Sequence, residues 1–141
     1  MVANPTKTRI ALGVLALVQG PLGLWAVFAP RSFYDHFPGG GRHWVALSGH
    51  YDHHLVTDVG ALSLALTVVL IAAAWTADRR LVLVAAGAWL AWSIPHLVFH
   101  LGHDHVLPSA DHVVSDVGQA LTVVLAAGLL IFNRQPPEAS S

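Results

Sequence analysis

The chain has 141 residues, 55% of them hydrophobic and 11% charged, with a net charge of −1. That is too apolar for an ordinary soluble domain of this size, and without a basic patch, a phosphate loop or a nucleophile elbow it excludes the nucleic-acid-binding, P-loop and serine-hydrolase classes. There is no cysteine and the one methionine is the first residue, so disulfides, thiolate zinc sites, iron–sulfur clusters and soft copper sites are excluded, and any metal would have to be held by nitrogen and oxygen.

Taken in order, residues 1–8 are a short polar lead. The apolar run over 10–29 predicts a first membrane-spanning helix, since about 20 residues of helix cross the roughly 30 Å of hydrocarbon. Lys7 and Arg9 precede it as they would a signal peptide, but the run is long for one and Pro30 stands where cleavage would fall, so the helix is read as retained. Gly13, Gly20 and Gly23 allow close packing, Pro21 is expected to bend the helix, and Gln19 is read as an interhelical hydrogen-bonding residue.

A loop over 30–53 follows, rich in turn formers and aromatics: Pro30, Phe33, Tyr34, Pro38, Gly39, Gly40, Gly41 and Trp44. It is long for an unstructured connection, so part of it is expected to lie along the membrane surface or to cover the bundle. The stretch from Trp25 through Phe28-Ala29-Pro30-Arg31-Ser32-Phe33-Tyr34, then Phe37-Pro38-Gly39 and Trp44-Val45, resembles small DoxX-like four-helix membrane proteins of actinobacterial type. The resemblance implies a four-helix membrane fold and carries no settled activity.

Three more spans are predicted over 55–77, 81–101 and 113–132, and the residues from 135 to 141 read as a disordered tail. The second and fourth open on near copies, His54-Leu55-Val56-Thr57-Asp58-Val59-Gly60 and His112-Val113-Val114-Ser115-Asp116-Val117-Gly118. The fold expected is therefore all-α: one domain over 1–134, an integral membrane four-helix bundle built from two tandem helical hairpins related by a pseudo-twofold axis along the membrane normal. Lys7, Arg9, Arg79, Arg80 and Arg134 fall on one side of that path and only Arg31 and Arg42 on the other, which predicts cytoplasmic termini.

The ten histidines all fall at the opposite, extracytoplasmic end, with six of the eight acidic residues. His96, His100 and His103 share one face of the third span, beside a proline, Pro95, expected to bend it. Asp58 and Asp116 sit one turn inside their helices, where a lone carboxylate is costly, each with a histidine, His54 or His112, four residues earlier. Four imidazoles (His54, His96, His100, His112) and two carboxylates (Asp58, Asp116, as ligands or catalytic base) from three helices suit zinc or non-haem iron. His50, His53, His103 and His105 read as interfacial, His36 and His43 as loop residues.

Such a centre would make the protein a metal-dependent enzyme acting on a lipid or other lipophilic substrate, by hydrolysis or oxidation. The donor pattern is similar to that of membrane zinc amide hydrolases such as alkaline ceramidases. Three alternatives stand beside it: a haem protein with bis-histidine ligation and Arg31 or Arg42 on the propionates, a divalent-metal transporter resembling cation diffusion facilitators, and a metal-free accessory subunit. Self-association is a further expectation, nucleic acid is not.

Overall fold

A computed structural model describes residues 2–103 and 107–134, and those residues contain helix and no strand. The elements are α1 (Pro5–Phe28), α2 (Pro30–His36), α3 (Trp44–Ser48), α4 (His53–Thr76), α5 (Arg79–His103) and α6 (Ser109–Asn133). The expected tail and His105 lie outside the described residues. Four helices, α1, α4, α5 and α6, are long and apolar enough to cross a membrane, and they pack as a bundle consistent with an integral membrane protein.

Three of the long helices, α1, α4 and α5, begin before their apolar runs, because capping chemistry rather than hydropathy sets the first turn. Asn4 accepts from the Lys7 N–H at 3.0 Å with Pro5 opening α1, and Asp52 accepts from the Leu55 N–H at 3.0 Å to open α4. Asp78 does the same for Leu81 at 3.0 Å at the start of α5. Between α4 and α5 the chain reverses at Ala77, whose φ of 49° is left-handed. Pro21 and Pro95 both lie inside continuous helices.

α1 packs most extensively on α4 and α5 on α6, while α4 meets α5 and α1 meets α6 over shorter stretches. The α1–α4 seam is close because glycine faces side chains across it. A Cβ on Gly60 would stand 2.8 Å from the Ala26 Cβ and 2.9 Å from the Val27 backbone nitrogen, so only glycine lets the backbones approach this far. Gln19 donates to Ser63 across the same seam at 2.8 Å.

The end of the bundle at which α1 starts and α6 finishes is solid. Leu12, Leu15, Leu70, Ala73, Val82, Ala85, Ala126 and Leu129 form its core. Arginines close it by donating to helix C-termini, whose last carbonyls lack intrahelical partners and carry partial negative charge. Arg9 reaches the Ala74 carbonyl of α4 at 3.1 Å, and Arg79 reaches the Asn133 carbonyl of α6 at 2.8 Å and that of Arg134. The Ala3 N–H donates to the buried Asn133 side chain at 3.3 Å, tying the first residues to the last helix.

At the other end, α2 and α3 fold over the bundle. Phe33 and Phe37 of this segment pack on Trp25, and Phe37 packs in turn on Trp44, with centroids 5.7, 6.5 and 5.9 Å apart. Three consecutive glycines, Gly39, Gly40 and Gly41, turn the chain from α2 to α3 with φ of 101°, 64° and 78°, which side-chain-bearing residues rarely adopt.

Candidate functional site

Beneath α2 and α3 the bundle is hollow. The space between α1, α4, α5 and α6 is a cavity of about 610 Å³, inside the roughly 300–1,000 Å³ span of small-molecule sites. Its walls are apolar, with Leu22 and Ala26 from α1, Val56 and Val59 from α4, Phe99 from α5 and Val114 from α6. Phe33, Phe37, Trp44 and Val45 roof it.

The floor, near the middle of the bundle's length, is polar and uncharged. It is made by Gln19, Ser63, Trp89, Ser93, Gln119 and Thr122. Part of this floor is internally satisfied. Gln19 donates to Ser63, the Gln119 amide donates to Ser115 at 3.1 Å, and Thr122 donates to the Gln119 carbonyl at 2.8 Å. Three atoms are not: the Trp89 indole N–H, the Ser93 hydroxyl and the Gln119 side-chain carbonyl have no hydrogen-bond partner among the described residues. Each of these atoms is sealed by its neighbours, so a water-sized molecule reaches it neither from outside nor from the cavity. Leaving such a group unpaired costs about 1–3 kcal/mol, and native structures keep few of them without a functional reason.

No lysine, arginine, aspartate or glutamate is among the described residues that line the cavity. Its titratable lining is His96 and His100, toward the roof. The Trp92 ring stacks on His96 with centroids 4.9 Å apart, and His96 meets His100 edge-on at 4.5 Å.

The roof is fastened by charge. The Asp111 carboxylate, at the start of α6, accepts from the Arg42 guanidinium at 2.8 Å through one oxygen and from the Trp44 indole N–H at 3.0 Å through the other. Arg31 and Asp35, one turn apart on α2, pair at 2.7 Å, and the carboxylate raises the guanidinium's pKa above its usual value. The Tyr34 hydroxyl donates to the Gly49 carbonyl, which holds α2 against the end of α3.

The metal centre expected from the sequence does not form. Among the described residues no three histidine, aspartate or glutamate side chains converge to hold an ion. The reason is local pairing. His54 lies 3.1 Å from Asp58 and His112 lies 3.2 Å from Asp116, each within its own helix, so both carboxylates are met by an imidazole one turn away rather than across the bundle. The first pair faces outward, its side chains 87% and 57% exposed. The second is tucked in, at 34% and 21%, outside the described lining of the cavity. His96 and His100 do line the cavity, but apart from the other four.

Zinc or non-haem iron chemistry with Asp58 or Asp116 as base, and metal transport through paired His-x3-Asp helices, therefore fall with the ligand set. The haem alternative falls too. His96 and His100 share one helix, His54 and His112 are turned to their own carboxylates, and the arginines assigned to propionates are bound to Asp35 and Asp111.

Sequence reasoning missed Trp89, Ser93 and the tie from Asp111 to Trp44. A signal existed for Ser93 and Gln119, as neutral polar residues within apolar spans; none existed for Asp111, whose contacts lie 67 and 69 residues away in the chain.

The fold and this chamber define a helical bundle, consistent with an integral membrane protein, that holds a half-open apolar cavity with a polar, uncharged floor. Comparison with protein-family models, with curated proteins and with solved structures returned no match for this chain.

Proposed function

We propose that this protein binds a lipophilic small molecule inside the roofed cavity. The observation that carries the reading is a cavity with apolar walls and a few uncharged polar side chains on its floor, an arrangement in which the walls supply affinity and a few polar groups fix orientation.

The reading includes an orientation. Lys7, Arg9, Arg79, Arg80 and Arg134 cluster at the solid end, so the termini are assigned to the cytoplasm and the roof to the extracytoplasmic side. Tandem hairpins and a DoxX-like kinship belong to the same proposal, the first supported by the extensive α1–α4 and α5–α6 packing and by the near copies at the starts of α4 and α6. Because the natural chain has no cysteine, single-cysteine labelling from either side of sealed vesicles tests the orientation directly.

For binding, native mass spectrometry of protein released gently from membranes is the test. A stoichiometric lipophilic adduct is expected, and it should vanish in Gly118→Leu. Gly118 lines the cavity and a Cβ there would meet nothing within 4 Å, so leucine fills space the ligand needs. An adduct of equal abundance in both proteins would place the ligand elsewhere.

A further inference from the structure

We propose that the roofed end of the bundle is a pH-switched surface for anionic phospholipids, which gathers their head groups once its histidines take up protons. The proposal is independent of what occupies the cavity.

Charge at this end is of an unusual kind. α2 carries Arg31, Asp35 and His36, and Arg42 and His43 follow it. His50, Asp52, His53, His54 and Asp58 stand before and within the start of α4. α5 ends on His96, His100 and His103, and α6 begins with Asp111, His112 and Asp116. None of these residues is buried. With neutral imidazoles the described residues of this end carry two positive charges against five negative, a net of −3; with all nine imidazoles charged they carry +6. Histidine makes that change as the pH falls from about 8 to about 5. The opposite end holds Lys7, Arg9, Asp78, Arg79, Arg80 and Arg134 and no histidine, so its charge stays constant over the same interval.

The carboxylates do not absorb the new charge. Asp35 is paired with Arg31, Asp111 with Arg42, and Asp52 accepts from the Leu55 N–H. Asp58 and Asp116 each meet one imidazole, that of His54 or His112. Three exposed rings are already set for protonation: His36, His43 and His103 direct Nδ1 to the backbone carbonyls of Ser32, Asp35 and Phe99. A carbonyl only accepts, so Nδ1 holds the hydrogen and Nε2 is the nitrogen that takes the proton. The new N–H is then a donor for an anion outside the bundle.

Position selects that anion. These residues gather at one end of the four helices long and apolar enough to cross a membrane, which is the level of the lipid head groups. The anion abundant there is lipid phosphate, and a cationic cluster at that level attracts anionic lipid within a Debye length.

The test is electron spin resonance of the full chain in liposomes, using phosphatidylglycerol and phosphatidylcholine spin-labelled near the head group. The selectivity of the protein surface for phosphatidylglycerol is expected to rise about fivefold from about pH 8 to about pH 5, the factor one net added cation supports at an anionic surface. High salt should abolish the rise. His36→Gln, His43→Gln and His103→Gln together remove three of the nine charges and should bring the rise down to about threefold. Arginine at the same three positions should raise the selectivity already at about pH 8. Selectivity that does not change with pH, or a rise that salt and both sets of substitutions leave untouched, overturns the proposal. Acid-dependent binding of soluble polyphosphate without any response of phosphatidylglycerol would assign the surface to a soluble polyanion and overturn the lipid assignment.

Discussion

Trp44 of α3 donates its indole N–H to Asp111 at the start of α6, 3.0 Å away, and so pins the roof of the cavity to the helix on its far side. The same carboxylate holds Arg42 at 2.8 Å, so one side chain fastens the segment from two points. With α2 and α3 making no other hydrogen bond to α6 among the described residues, access from the roof side depends on this contact.

Asp111→Ala should therefore loosen the roof without unfolding the bundle. Limited trypsin digestion reads this directly, because Arg42 is itself a cleavage site. Cleavage after Arg42 is expected to speed up several-fold while the four long helices stay protected. Unchanged cleavage would show that the aromatic packing of Phe33, Phe37 and Trp25 holds the roof alone.

The near copies at the starts of α4 and α6 should respond oppositely to one substitution. Gly60→Ala drives a methyl into Ala26 and Val27, and is expected to cost about 1–3 kcal/mol as overpacking of a tight seam. Gly118→Ala meets nothing within 4 Å and removes backbone freedom from the unfolded chain, so it should stabilise by up to about 1 kcal/mol. Thermal denaturation in detergent separates them.

The two His/Asp pairs should differ likewise. His112→Ala leaves Asp116 partly buried, with one oxygen already unpartnered among the described residues, and should destabilise by about 1–3 kcal/mol. His54→Ala removes an exposed pair whose contribution is about 0.3–0.5 kcal/mol. Comparable losses would mean that exposure is not what separates the pairs.

Since no donor set converges among the described residues, a chelator should leave the melting temperature unchanged, and elemental analysis of His96→Ala, His100→Ala protein should match the parent. Stoichiometric zinc or iron in the parent that falls in that variant would contradict the geometry.

Ser93→Ala deletes a buried hydroxyl with no partner among the described residues. The protein is expected to gain about 1 kcal/mol of stability, by melting in detergent. A loss of stability would show that the hydroxyl is satisfied within the protein.

The sequence by itself determined the four long apolar helices, consistent with a membrane bundle, and the gathering of histidines at one end, because these depend on composition and on position along the chain. Spacing alone also placed His54 beside Asp58 and His112 beside Asp116, since four residues are about one helical turn. Only the tertiary structure decided where those faces point. In a helix apolar on both lipid-facing and bundle-facing sides, hydrophobic periodicity does not mark the buried face, so identical motifs can be rotated differently about their axes. That rotation exposes His54, tucks in His112, presses Gly60 against α1 and opens Gly118 onto a cavity. The cavity and its polar floor arise between helices far apart in sequence, from gaps in packing that no single segment encodes.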